Sequence, residues 1–383
     1  MKKGVLILIV LLGSFITSFG QKSKVIAVFQ LIESSKYKDA KAAIEDAIEE
    51  ESTKHWYRTW YARGLLAQQA YRDGIKKNDK NKYELYPDQL YVAYESYEKA
   101  LKLDTKGRIN DQLEPHYVLL ANDFQNQGEK KYKNNKFKEA LRAFETALSI
   151  NQNPILSVKL DSNLVYNTAL AAVESGEWET AIDYLKMLNE NKYSPNIPHL
   201  LYSVYIEKED TSSAERVLYE GMKKYEDNQQ LILQLIDLLN NKNEIEAAVS
   251  ILDSASMADT SNYIYPYTKG LVYQKNHQYE DAIESYKEAL SRDPGNEEVI
   301  LHIGTSYYNI GVDIEQRARG IRNNKLFIQE KEKSRKALQS SVKWFERALE
   351  KRPEDQELIT KLYQLYKYLG ITDKLKSLEA QMN

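Results

Sequence analysis

Apolar residues recur every three or four positions along most of this chain, with Lys, Glu, Asp and Asn between them. That spacing puts one apolar stripe on an α-helix. The segment His277–Leu290, HQYEDAIESYKEAL, is one instance. KYKDAKAAIEDAI at Lys36–Ile48, KFKEALRAFETAL at Lys136–Leu148 and EWETAIDYLKML at Glu177–Leu188 restate it, each with an aromatic three residues before an alanine. The aromatics Tyr37, Phe137, Trp178 and Tyr279 are expected just before a second helix, packing between units.

Within each copy a small residue is followed four positions on by a bulky one, on the same helix face. Eight copies begin at Ala40, Ala93, Ala140, Ala181, Ala214, Ala248, Ala282 and Ser341, with bulky partners Ile44, Tyr97, Phe144, Leu185, Leu218, Leu252, Tyr286 and Phe345. The intervals are 53, 47, 41, 33, 34, 34 and 59 residues, so residues 162–296 keep a near-fixed period and the flanks carry insertions near 72–88, 108–135 and 312–336. A period near 34 predicts a stacked helical array, because one such unit cannot bury its apolar face alone.

The copy at Tyr263–Asn296 resembles the tetratricopeptide repeat. Gly270, Tyr273, Ala282, Tyr286, Ala289 and Pro294 fall at that repeat's eighth, eleventh, twentieth, twenty-fourth, twenty-seventh and thirty-second positions, and only its fourth-position aromatic is replaced, by Pro266. Trp60 and Gly64 supply part of the pattern in the copy from Tyr57, as do Gly304, Tyr307, Phe345, Ala348 and Pro353 in the copy from Glu297. The resemblance implies an all-α, alpha-alpha superhelix over residues 21–383: a solenoid of about nine helical hairpins, several with extended helices. Gly270 is expected to face Ala282, with Tyr273 and Tyr286 filling the gaps beside them. Asp293-Pro294 and Arg352-Pro353 are expected to stop second helices, since proline disfavours the helical region for the residue before it.

Composition changes the setting rather than the fold. Lys2 and Lys3 precede an apolar run to Phe19 and small residues before Gln21, the layout of a secretory signal peptide over residues 1–20. The remaining chain is expected to be exported, periplasmic or secreted, without an integral membrane segment; its Lys, Asn and Tyr usage is similar to that of exported proteins of the Bacteroidota. Of the 53 basic residues, 51 remain against 56 acidic once Lys2 and Lys3 are removed, a net charge of −5 that argues against general nucleic-acid affinity. There is no cysteine, which excludes disulfides, thiolate metal sites and a cysteine nucleophile.

Function is expected at positions the packing leaves free. In the tetratricopeptide repeat family, positions two, five, nine, twelve and thirteen of the first helix line the concave face. The resemblance therefore implies a partner-binding groove of Tyr166, Leu170, His199, Ser203, Asp237, Asn241, Tyr267, Leu271, Thr305 and Tyr308, flanked by Leu233 and Leu301. Mixed aromatic, aliphatic and hydrogen-bonding character suits an extended peptide or a partner helix. The family's lysine-and-asparagine clamp for a C-terminal carboxylate is not recognisable, which disfavours a chaperone-tail receptor. The alternative reading is a carbohydrate- or peptidoglycan-binding solenoid in which Tyr166, Tyr267 and Tyr308 stack on sugars.

The insertions are basic: Arg72–Lys82 has five basic and two acidic residues, Lys130–Lys138 five and none, Val312–Lys336 eight and four. Lys130, Lys131, Lys133 and Lys136 form a candidate docking edge for an acidic partner or an anionic envelope surface, although lysines often do no more than solvate long hairpins. Catalytic signatures are absent. The five histidines are scattered, Ser340 and Lys343 form an isolated serine-x-x-lysine string, and no phosphate or calcium loop occurs. The sequence predicts a non-enzymatic scaffold with no cofactor and no metal.

Overall fold

The structure, a computed structural model, describes residues 22–157, 159–225 and 228–382. The expected signal peptide lies outside the described residues. Within them the chain is all-α, with nineteen helices and no strand. The first, α1, spans residues 22–33. It is followed by α2 (Tyr37–Glu49), α3 (Tyr57–Lys77), α4 (Lys80–Tyr83), α5 (Gln89–Leu103), α6 (Asn110–Lys133), α7 (Phe137–Asn151), α8 (Ser162–Ser175), α9 (Trp178–Glu190) and α10 (Ile197–Glu207). Then come α11 (Thr211–Lys224), α12 (Gln229–Asn241), α13 (Ile245–Ala258), α14 (Ile264–Lys275), α15 (Tyr279–Arg292), α16 (Glu297–Ala318), α17 (Asn324–Lys351), α18 (Gln356–Leu369) and α19 (Thr372–Met382). With α4 as an insert between α3 and α5, these helices make nine successive pairs. They divide into two compact units, one ending at Val204 and one starting at Tyr205, inside α10.

One local device builds most pairs. Residues Ser35, Asn135, Gly176, Glu209, Asn243, His277 and Gly370 take positive φ (56°, 58°, 74°, 58°, 62°, 60° and 73°), each two positions before a second helix starts. Beside each one, an amide bonds back to the carbonyl five residues earlier, as from Gln278 to Tyr273 at 2.9 Å and from Lys136 to Lys131 at 2.9 Å. This left-handed closure satisfies carbonyls that a helix end would leave bare. In the α3–α5 pair the same closure, Asn78 at φ 52° with the Asp79 amide on Gly74 O at 2.8 Å, leads into the insert α4, and the α16–α17 pair carries a long insert instead. Residues 108–135, expected as an insertion, are mostly α6 itself, a 24-residue first helix.

Four first helices, α8, α12, α16 and α18, start on an acceptor side chain. Asp161, Asp210, Asn228, Asn296, Asn323 and Asp355 each accept from an amide two or three residues on, at 2.9 to 3.1 Å; Asp210 and Asn323 do so for α11 and α17, which are second helices. Such a cap stabilises a helix by about 1 kcal/mol. Two second helices, α15 and α17, end at Arg292 and Lys351, just before Asp293-Pro294 and Arg352-Pro353, as expected.

Close packing within pairs rests on glycine against an aromatic ring; the atoms nearest Gly270 are those of Tyr286, which was expected to fill the gap beside it. A methyl added at Gly64, Gly128, Gly270 or Gly304 would come within 2.4 to 2.6 Å of Tyr97, Phe144, Tyr286 or Phe345 respectively. All four rings are essentially buried, so the glycine lets the first-helix backbone rest on the ring face. In the long α16–α17 pair, Ser341 and Ser334 donate to the carbonyls of Gly304 and Gly311 at 2.8 Å. Tyr37, Phe137, Trp178 and Tyr279 turn out to be the first residues of their helices; Tyr37 and Tyr279 are buried, Phe137 and Trp178 half-buried.

Candidate functional site

The predicted groove residues divide by surroundings. In the first unit, Tyr166 is half-buried and tilted against Tyr193, centroids 5.4 Å apart. Leu170 lines a cleft of about 200 Å³ with Glu129, Tyr132, Lys133, Phe144 and Asn167. Ser203 donates to the His199 carbonyl at 3.1 Å, so its hydroxyl is spent on its own helix. In the second unit, Asn241 accepts from Lys275 Nζ at 2.9 Å and Thr305 donates to Leu301 O at 2.9 Å. Asp237 is exposed, while Tyr267, Leu271 and Tyr308 are half-buried. Tyr308 lines a cleft of about 330 Å³ with Val312, Glu315, Leu338, Leu365 and Tyr368.

Tyr267 is the best defined of these. Its ring lies 5.9 Å from Tyr286 and 5.7 Å from His302, and His302 stacks on Tyr286 at 5.4 Å and 29°. Gln274 Oε1 ties the cluster: Tyr286 OH donates to it at 2.9 Å, Ser306 Oγ at 3.3 Å, and His302 Nδ1 lies at 3.2 Å. A carboxamide oxygen only accepts, so His302 carries its proton on Nδ1 and keeps Nε2 as an acceptor. Tyr267 OH donates to Glu298 at 3.5 Å, and burial followed by the Glu298 charge pushes the phenol up to about 12. Burial holds His302 below the ordinary imidazole range.

The first unit repeats this cluster. Tyr61, Tyr97 and His116 sit at 5.9, 6.1 and 6.3 Å, with His116 stacked on Tyr97 at 29°. Tyr97 OH donates to Gln68 Oε1 at 2.8 Å, and Gln68 Nε2 donates to His116 O at 2.9 Å. Nearby, Arg72 pairs with the buried Asp123 at 2.8 Å. Burial raises the Asp123 carboxyl and lowers the His116 imidazole. Sequence reasoning missed Gln68, Gln274, His116 and His302. The signal was available: YARGLLAQ at 61–68 and YTKGLVYQ at 267–274 share tyrosine, glycine, leucine and glutamine at the same offsets.

On the candidate basic edge, Lys131 bonds Glu139 and Lys136 lies 3.4 Å from the same carboxylate. Their hydrogen bonds hold Glu139 below the usual carboxylate range, Lys131 first. Lys130 and Lys133 are exposed. Among the described residues no three His, Asp or Glu side chains come together as a metal site, and no helix is long and apolar enough to cross a membrane.

Residues 126–192 and 267–296 match models of the tetratricopeptide repeat. These two segments carry tetratricopeptide repeats, and proteins built on such repeats mediate protein–protein interactions. It is similar to the Hsp70-Hsp90 organising protein of Plasmodium falciparum (isolate 3D7), 26% identical over 188 residues, 46% of this chain and 29% of that protein. The chain thus spans under a third of that curated relative's length. Among solved structures, the C-terminal part of a repeat-containing protein from Cytophaga hutchinsonii aligns with TM-score 0.40 and 13% identity, over 67% of this chain and 99% of that one. A repeat protein from Bacteroides fragilis NCTC 9343 aligns with TM-score 0.35 and 19% identity, over 65% and 98%.

Proposed function

We propose that this protein is an exported, non-enzymatic scaffold of the cell envelope that binds a peptide or a partner helix on the first-helix face of its repeats. The observation that carries the reading is the set of half-buried side chains Tyr267, Leu271, Thr305 and Tyr308 on α14 and α16. Tyr267, Leu271 and Tyr308 pack on the core cluster from one side, and the part of each left uncovered, with the phenol tips of the two tyrosines, supports a partner surface here. Export rests on the layout of residues 1–20.

Photo-crosslinking tests the groove. A benzophenone amino acid at Leu271 or Thr305 should give a discrete adduct in cells, while the same group at the exposed Glu284 of α15 should give none. Equal labelling from all three positions would refute the groove. N-terminal sequencing of the protein from an envelope fraction should begin at Gln21; an intact Met1 there would refute processing.

A further inference from the structure

The two clusters differ in what covers the outer tyrosine. In the first unit Phe29 of α1 lies over Tyr61, centroids 6.0 Å apart and planes at 35°, and Tyr61 is left 7% exposed. Phe29 stands eleven residues before the repeat alanine Ala40 of its hairpin, the one preceding the hairpin that carries Tyr61. In the second unit the hairpin preceding Tyr267 is α12–α13, with repeat alanine Ala248. Eleven residues before it stands Asp237, exposed and with no hydrogen bond or ion pair among the described residues. By register Asp237 stands where Phe29 stands in the first unit, and Tyr267 is left half-buried, with Tyr263, the residue before α14, beside its ring, centroids 6.5 Å apart and planes at 49°.

We infer that Tyr267 is an open seat for an aromatic side chain of a bound peptide, with a Lys or Arg beside that aromatic answering Asp237 and Glu298. The inference rests on the proposed groove and names its ligand class. Phe29 over Tyr61 is the intramolecular counterpart of the bound state: same cluster, same tyrosine, an aromatic supplied by the chain itself. The rings below Tyr267 are held by Gln274 and need no rearrangement to receive a ring, and preorganisation of this kind lowers the entropy cost of binding. The carboxylates select the flanking charge. Glu298 holds the Tyr267 hydroxyl and lies 3.7 Å from Arg352, with its side chain 66% exposed, and Asp237 is unpaired.

The test uses the purified protein and three fluorescein-labelled, end-blocked nonapeptides of glycine and serine that carry a central Lys-Phe, Lys-Ala or Glu-Phe pair, read by fluorescence anisotropy. Lys-Phe should bind about tenfold more tightly than Lys-Ala, as expected from an aromatic pair plus its buried area. Glu-Phe should bind more weakly than Lys-Phe, by a margin that shrinks with added salt. Tyr267→Ala should abolish the preference for Lys-Phe over Lys-Ala, and Tyr267→Phe should keep it; circular dichroism checks that both variants fold. Equal binding of Lys-Phe and Lys-Ala, no binding of Lys-Phe, or a preference that survives Tyr267→Ala would overturn the seat. Because the preference is read on the peptide side as well, a poorly folding variant does not decide the matter. Adducts from Leu271 and Thr305 without the Lys-Phe preference would remove the seat and leave the groove; loss of both would remove both.

Discussion

Tyr61 and Tyr267 head the same cluster, yet one is closed and the other open. Each sits three residues before a glycine that rests on a buried tyrosine, Tyr97 or Tyr286, and each touches a histidine stacked on that buried ring. Phe29 closes the first into the core, whereas the second, with Asp237 at the equivalent register position, keeps part of Tyr267 uncovered. The lesson is that a repeat protein can use one packing module twice and cover it to different depths, according to which residues of the surrounding helices reach it.

That comparison can be broken at several levels. Tyr286→Ala removes a fully buried ring and should cost about 3 to 5 kcal/mol in urea unfolding, the range for truncating buried aromatics. Tyr61→Ala should come close to it, while Tyr267→Ala should cost about 1 kcal/mol less than Tyr61→Ala, since Tyr267 is only partly buried. Equal losses for Tyr61 and Tyr267 would dismiss the distinction between closed and open. Gly270→Ala drives a methyl to 2.4 Å from the Tyr286 ring and should cost about 1 to 3 kcal/mol, because a buried ring must shift. Gly295→Ala, with nothing within 4 Å, is its control and should leave the melting temperature unchanged.

The smallest effect is in acid. Burial lowers the His302 imidazole in the folded state, so as pH falls the unfolded chain takes up the proton first. This contribution to stability is complete above the unfolded value of about 6.5 and is lost as pH drops from there towards the folded value. Replacing His302 with Gln should therefore flatten the fall in urea midpoint between about pH 7 and pH 5. The second unit suits this measurement, since near His116 the raised carboxyl of Asp123 acts in the opposite direction. An unchanged slope would show that His302 is not held neutral by its burial.

Much of the array was legible along the chain. Small-to-bulky spacing located the second helices, and the two prolines marked helix ends to within a residue. Both are local: helical periodicity and the backbone restriction before proline act within a few positions. The groove strip was less legible. Ser203 and Thr305 bond their own helices, and Tyr166 leans on Tyr193 because the turn after α9 folds back, with Tyr193 N bonding Leu188 O at 3.1 Å. Family position says which way a residue faces, not whether a neighbour has already taken its atoms. Likewise, adjacent lysines read as a basic edge until Glu139 is seen between Lys131 and Lys136.

The sequence by itself determined that this chain forms repeated helical hairpins, because apolar period, capping residues and turn residues act over one or two helical turns. Only the tertiary structure decided that glycines rest on buried rings, and that Phe29 shields Tyr61 while Tyr267 stays half-buried beside Tyr263. Coverage of a side chain depends on which residue of the neighbouring hairpin reaches it, and that is set by packing between segments tens of residues apart.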